Sequence, residues 1–178
     1  MKQTIVTAFA ALSLALAASA GASHNGAVPG KWTQDFDAAK ELAAAQNLPL
    51  FLNFTGSDWC GWCKLMDRLV FSQKEWKSWA KDKVVLVFID FPRDESQVPK
   101  KYRSRNRKLQ EQYGVRGYPT YIVLSPDGTK VLGRLGASRE ATPASFIEQL
   151  SALLPAPEAP ESPAGEGAPS EAPAAAAP

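Results

Sequence analysis

The chain is poor in the residues that bind metals or haem. Its 178 residues include two cysteines, Cys60 and Cys63, and one histidine, His24. A structural zinc site needs about four ligands from Cys, His or carboxylates, and covalent haem attachment at C-x-x-C needs a histidine directly afterwards. Lys64 follows Cys63 instead. These shortages make zinc a weak alternative and exclude covalent haem attachment, so we expect a protein that needs no metal or organic cofactor.

The two ends of the chain lack what a packed core requires. Residues 1–20 combine a basic start, an apolar run and a closing Ala-Ser-Ala, which predicts a signal peptide, with a disordered or buried helix as the alternative. The apolar run is shorter than the roughly 20 residues of a membrane span, and no nearby cysteine offers a lipid anchor. Residues 155–178 contain no aromatic or β-branched residue, so we expect a disordered tail. The sequence therefore predicts an exported, periplasmic or extracellular protein without stable membrane insertion.

Between the ends we expect a linker over residues 21–30 and one domain over residues 31–154. This part of the chain has 19 basic and 14 acidic residues, a net charge of about +5 that does not argue for nucleic acid. One cluster contains no acid and indicates either a solvated helix face or a surface for an acidic partner or a membrane. Its members are Lys100, Lys101, Arg103, Arg105, Arg107 and Lys108.

Hydrophobic periodicity predicts the order α-β-α-β-α-β-β-α, which is an α/β fold with a mixed central sheet and helices on both faces. Asp35 is expected to cap the first helix, and the apolar run at residues 84–89 predicts a central strand. Ser72 and Glu75 have the spacing of a capping box for a helix reaching about residue 81. Pro143 is expected in the first turn of the last helix.

The two cysteines are spaced C-x-x-C between an apolar strand at residues 50–54 and a predicted helix. Such a pair can close and reopen a small disulfide ring, and a strand-to-helix junction is typical of a thioredoxin-like redox site. A disulfide across so short a loop would stabilise the fold little, so a purely structural role is the weaker alternative.

Residues 35–154 resemble the thioredoxin family. The resemblance is carried by the apolar strand, by W-C-G-W-C-K at residues 59–64 and by V-R-G-Y-P-T at residues 115–120. The string F-T-G-S-D-W at residues 54–59 is similar to the secreted bacterial branch of that family. The resemblance implies a thioredoxin fold and a thiol–disulfide oxidoreductase acting on protein or peptide disulfides, with the redox direction left open.

The position of the cysteines predicts their roles. We expect Cys60 at the N-cap of its helix, exposed, where backbone N–H groups favour the thiolate and make it the nucleophile. Cys63, one turn on and covered, would then resolve the mixed disulfide. Trp62 and Gly61 are expected to contact substrate; the alternatives are that Trp62 only shields the start of the helix and that Gly61 only relieves the turn. By the family pattern Trp59 packs beneath the loop.

The resemblance also implies a cis peptide bond before Pro119, facing the nucleophilic sulfur, with the Tyr118 backbone pairing with an extended substrate. The chain departs from the family at three places. Gly61 and Trp62 replace the reductants' Gly-Pro, Asn53 takes the position of a buried acid, and residues 91–112 are roughly a dozen longer than the corresponding segment. An amide cannot accept the proton of the second thiol, so water or another group would have to.

Two other functions remain open on the sequence. One is a thioredoxin-fold binding or chaperone-like module without dedicated redox turnover, and the other is a thiol-buffering protein with no dedicated substrate. A membrane redox partner and a monomeric state are further expectations.

Overall fold

The computed structural model describes residues 26–155. The predicted signal peptide, His24 and the tail beyond residue 155 lie outside the described residues. The helices and strands follow one another as α1 (Phe36–Gln46), β1 (Leu50–Thr55), α2 (Gly61–Met66), a π-helical turn (Asp67–Phe71), α3 (Lys74–Ala80), β2 (Val85–Asp90), a 3₁₀ turn (Glu95–Gln97), α4 (Lys100–Gln112), β3 (Thr120–Leu124), β4 (Val131–Leu135) and α5 (Pro143–Ser151).

The strands form a four-stranded mixed sheet in the order β2-β1-β3-β4. β1 pairs in parallel with β2 and antiparallel with β3, and β3 pairs antiparallel with β4. The predicted α/β class with a mixed sheet is confirmed. The parallel β1–β2 connection is made by the helices that begin at the cysteine motif, which places the motif at the carboxyl end of a central strand.

Each face of the sheet has its own hydrophobic core, because alternate residues of a strand point to opposite faces. Leu50, Leu52 and Phe54 of β1 belong to the core shared with α1 and α4. Phe51 belongs to the second core, with residues of α2, the π-helical turn, α3 and α5. Asn53 has the same parity along β1 as Phe51, and it therefore points to the face that the cysteine-bearing helix covers.

The apolar run at residues 84–89 does not form a central strand. β2 lies at an edge of the sheet, and its free side is covered by the segment before α1. Thr33 makes an isolated parallel bridge there, donating its N–H to Leu86 O (3.1 Å) and accepting from the N–H of Phe88 (2.8 Å). Covering by a loop explains how an edge strand can be as apolar as a central one.

The predicted capping box at Ser72 is also wrong. The helix after the motif continues into the π-helical turn, and Ser72 ends that turn with its N–H on Asp67 O and its hydroxyl on the Asp67 carboxylate. α3 therefore begins one residue later, with Gln73 at its N-cap and no side-chain capping bond. The cap of α1 by Asp35 is confirmed, since its carboxylate accepts the N–H of Ala38.

The segment before the domain packs against it. Within the predicted linker, the Ala27 side chain is buried in the α1 core, and Thr33 donates its hydroxyl hydrogen bond to Gly26 O. At the other end, Thr142 and Ser145 cap α5 reciprocally, with Pro143 at the first helical position as predicted.

Candidate active site

The two cysteines form a disulfide where β1 passes into α2, with their Cα atoms 5.2 Å apart. Cys60 is the N-cap of α2 and has an extended backbone conformation. Its Sγ accepts the N–H of Cys63 at 3.1 Å. The first N–H groups of a helix have no intrahelical partner, so they and the helix dipole stabilise negative charge on a sulfur placed there. Reduction of the disulfide would thus leave Cys60 Sγ at a position that stabilises a thiolate.

The disulfide form shows no difference in exposure between the two cysteine residues. Cys60 is 5% exposed and Cys63 is 8% exposed, so both residues are buried in the disulfide form. The closed disulfide holds the two sulfur atoms together, and Cys60 Sγ turns back toward its own helix to accept the Cys63 N–H. The helix N-cap distinguishes the two cysteines, whereas accessibility does not.

The turn before Cys60 is shaped around Gly56. A Cβ at Gly56 would lie 2.4 Å from the Trp59 ring, so only glycine allows this indole to fold back over the turn. The N–H groups of Trp59 and Cys60 both donate to Gly56 O, at 3.2 and 2.8 Å. The Trp59 Nε1–H donates to Phe91 O at 2.8 Å. Trp59 thus packs on the loop as expected, although it stays 39% exposed.

The same turn is bonded to the chain segment after β2. Asp58 accepts the N–H groups of Arg93 and Asp94 at 3.0 and 2.9 Å. These bonds, led by the one from Asp94, hold the pKa of the Asp58 carboxyl below its ordinary value. Ser57 donates its N–H and its hydroxyl to the buried Asp90 carboxylate at 2.9 and 2.6 Å. The start of the longer segment at residues 91–112 therefore supports the turn before Cys60, which we call the redox turn. Sequence analysis did not predict this role.

The Tyr118–Pro119 peptide bond is cis, and Pro119 is buried at the start of β3. The Tyr118 ring packs against Phe91 at 5.4 Å and edge-on against Trp59 at 5.7 Å between centroids. Its hydroxyl accepts a hydrogen bond from Gln110 Nε2 at 2.8 Å. Burial, with a smaller contribution from the charge of Asp90, raises the pKa of Tyr118. The side chain of Tyr118 therefore packs within the fold, against Phe91 and Trp59.

Asn53 lies beneath the cysteine-bearing helix, opposite Phe88 and Tyr121 in the neighbouring strands. It is 6% exposed, and its Oδ1 has no hydrogen-bond partner among the described residues. Asn53 and Cys63 line the same cleft of about 620 Å³, together with Thr55 and Asp67. Asn53, to which the family resemblance assigns the position of a buried acid, therefore places an amide in the cleft that Cys63 also lines.

The outer side of the motif is open. A Cβ at Gly61 would meet no atom within 4 Å. Trp62 is 42% exposed, and the Arg139 guanidinium lies 5.1 Å from the centroid of its ring. Lys64 donates through Nζ to Asp58 O at 2.6 Å, so it bridges α2 to the preceding turn rather than extending into solvent. Gly61 and Trp62 are thus free to meet another molecule.

The basic residues of α4 divide into two groups. Arg103 bonds to Glu95 and to Val98 O, and Arg105 lies over the Tyr102 ring, so these two are used within the fold. The others are exposed along the helix, as expected of a solvated face: Lys100, Lys101, Arg107 and Lys108, of which Lys101 also places its Nζ 4.6 Å from the centroid of the Tyr102 ring.

Residues 26–155 contain no group of three or more His, Cys, Asp or Glu side chains arranged to hold a metal ion. Across that same stretch, no helix has the length and apolarity to cross a membrane.

Residues 31–126 match a protein family described as thioredoxin-like. The chain belongs to this family. In the solved structure of a DsbH oxidoreductase, at 30% sequence identity, 72% of this chain superposes on 87% of the other with a TM-score of 0.64. The predicted thioredoxin fold is confirmed.

Two curated relatives come from Chlamydia pneumoniae. The disulfide bond reductase DsbH is 35% identical over 103 residues, which are 58% of this chain and 61% of that protein. The thioredoxin-related protein DsbJ is 27% identical over 154 residues, 86% of this chain and 44% of that protein. This thioredoxin-like chain thus spans less than two thirds of the length of either relative.

Proposed function

We propose that this thioredoxin-like protein is a thiol–disulfide oxidoreductase that exchanges disulfides with protein or peptide substrates through Cys60 and Cys63. The observation that carries the proposal is the disulfide at the N-terminus of α2, where Cys60 Sγ accepts the Cys63 N–H. A thiolate stabilised in this way is both an effective nucleophile and a good leaving group.

In the reducing direction, the Cys60 thiolate attacks one sulfur of the substrate disulfide. A mixed disulfide forms, and the other substrate sulfur leaves as a thiolate. Cys63 then loses its proton and attacks Cys60 Sγ, which releases the second substrate thiol and closes the Cys60–Cys63 bond. Two electrons and two protons pass from the protein to the substrate, and the reverse sequence oxidises a substrate dithiol.

The surroundings of the disulfide support roles for the other predicted site residues. Gly61 leaves open space beside the nucleophile, and Trp62 offers an exposed apolar surface. With the Tyr118 ring held by Phe91 and Trp59, its backbone before Pro119 is the part that would pair with an extended substrate. We assign these four residues to substrate binding.

The name of the relative DsbH, a disulfide bond reductase, favours the reducing direction for this protein. A reductant in an oxidising compartment needs electrons from elsewhere, so a membrane redox partner belongs to the proposal. Export through the signal peptide at residues 1–20, followed by a linker, the domain at residues 31–154 and the tail at residues 155–178, is the organisation proposed with it.

Reduction of insulin disulfides tests the function directly. The reduced protein, kept reduced by dithiothreitol, is expected to accelerate insulin precipitation, and the Cys60→Ser variant is expected to give the rate of dithiothreitol alone. Equal rates for the two proteins would reject the redox function in favour of a binding module. The reduction potential, measured against a glutathione buffer, then gives the direction.

A further inference from the structure

The Trp62 side chain and the Arg139 guanidinium form a small surface beside the redox motif. Trp62 lies between the two cysteines in the sequence, and it is one of two large exposed aromatic residues that flank Cys60. Arg139 comes from the loop between β4 and α5 and lies 5.1 Å from the indole centroid. A loop distant in sequence therefore brings a cation to the exposed face of the motif.

The cation of Arg139 is available to another molecule. Arg139 is exposed, and no carboxylate of residues 26–155 lies within 4.0 Å of it, since the ion pairs there join other residues. Asp58, the acid nearest to the motif in sequence, already accepts the N–H groups of Arg93 and Asp94. Glu140 is exposed next to Arg139 in the chain but makes no ion pair with it.

We propose that Arg139 and Trp62 form a subsite for an acidic residue next to the reacting cysteine of the substrate. The inference rests on the proposed function, because it concerns the peptide that is bound during disulfide exchange. A guanidinium over an aromatic ring keeps its edge N–H groups free, and these match the two oxygens of a carboxylate. The indole face would cover the apolar part of the same substrate segment.

The net positive charge of the domain also favours acidic substrate segments. Between the two ends of the chain the net charge is about +5, which favours encounter with acidic segments. An exposed ion pair contributes only modestly to affinity, and charges at the rim of an interface act mainly on the association rate. We therefore expect a preference of about twofold to fivefold, which should weaken as the salt concentration rises.

Two synthetic peptides test the subsite. They are identical except for Asp or Lys directly beside a single cysteine, and that cysteine carries a neutral 2-thiopyridyl leaving group. The Cys60 thiolate attacks the peptide sulfur, thiopyridone is released and measured, and Cys63 then frees the peptide thiol. The measured quantity is the ratio of the second-order rate constants for the Asp and Lys peptides.

The wild type is expected to prefer the Asp peptide by about twofold to fivefold at low salt. Arg139→Ala should lower the ratio toward one, and Arg139→Glu should lower it further, to below one. Lys130→Glu makes the same charge change in the turn after β3, at the end of that strand away from Pro119, and should keep the wild-type ratio.

Equal ratios for the wild type and Arg139→Glu would overturn the subsite while leaving the redox function intact. A ratio changed as much by Lys130→Glu would also overturn it, because the effect would then come from net charge alone. Insulin reduction measured in parallel separates the two proposals. If the wild type reduces neither insulin nor the peptides, the proposed function is wrong and the subsite falls with it.

Discussion

Replacing Asn53 by aspartate tests how the second thiol loses its proton. Asn53→Asp adds a carboxyl beneath α2, in the cleft that Cys63 also lines. The change is nearly isosteric, so its effects report on charge and protonation. We expect faster resolution of a mixed disulfide and lower stability, because the new group is a base that is largely withdrawn from water.

The burial of position 53 determines how far the pKa of the new carboxyl rises and how much unfolding free energy the variant loses. A fully buried carboxyl can have its pKa raised by about 3–5 units, and the open cleft beside this position reduces that to about 2 units. At 1.36 kcal/mol per unit, the variant loses about 3 kcal/mol of unfolding free energy at neutral pH. The folded-state pKa of the new carboxyl is raised above its unfolded value of about 3.9. The loss of stability is therefore absent below about pH 3.9. It grows as the pH rises to the raised pKa and is constant above it.

Two measurements decide the outcome. Denaturant unfolding across the acid range gives the free-energy difference as a function of pH, and stopped-flow mixing gives the resolution rate, which should rise at least about tenfold near neutral pH. Gln34→Glu is the matched control, since Gln34 lines the same cleft with an unpartnered amide oxygen but is only half-buried. A pH-independent stability difference, or an unchanged resolution rate, would refute the argument.

Three further predictions follow from the motif and its turn. Brief alkylation of the reduced protein near neutral pH should label mainly Cys60, since the helix N-cap stabilises its thiolate, and labelling mainly at Cys63 in mass mapping would reverse the assigned roles. Cys63→Ser should trap covalent substrate complexes on non-reducing gels while Cys60→Ser traps few, and an absence of adducts would favour a binding module. Gly56→Ala should lower the unfolding free energy by about 1–3 kcal/mol, because its methyl group meets the Trp59 ring. Gly61→Ala is the control, expected to be neutral or slightly stabilising in denaturant unfolding since its Cβ meets no atom.

Local sequence patterns predicted the elements that depend on local interactions. The helix at Phe36–Gln46 with its Asp35 cap and the strand at residues 50–54 are confirmed because periodicity and capping are read over a few residues. The order of strands in the sheet is a different matter. Residues 84–89 are apolar enough for a central strand, yet the strand lies at an edge of the sheet. It can be this apolar because Thr33, which is distant in the sequence, covers its free side.

At the cysteine motif, too, local features were predictable from the sequence and long-range contacts were not. Cys60 lies between a predicted strand and a predicted helix, and this local pattern was enough to predict its N-cap position. The contacts that surround it come from distant parts of the chain. The bonds of Asp58 to residues 93 and 94, and the approach of Arg139 to Trp62, leave no periodic signal in the sequence.

The hydrogen bonds from the redox turn to the segment after β2 have a consequence for the order of folding. They join Ser57 and Asp58 to residues 33 to 36 positions later, whereas the two cysteines are only three positions apart. Contacts of large sequence separation require a longer loop to close, so they form late. The cysteine pair can therefore come together before the bonds of Ser57 and Asp58 to the segment after β2 have formed. The turn that supports the pair takes its final form only after the second parallel strand has joined the sheet.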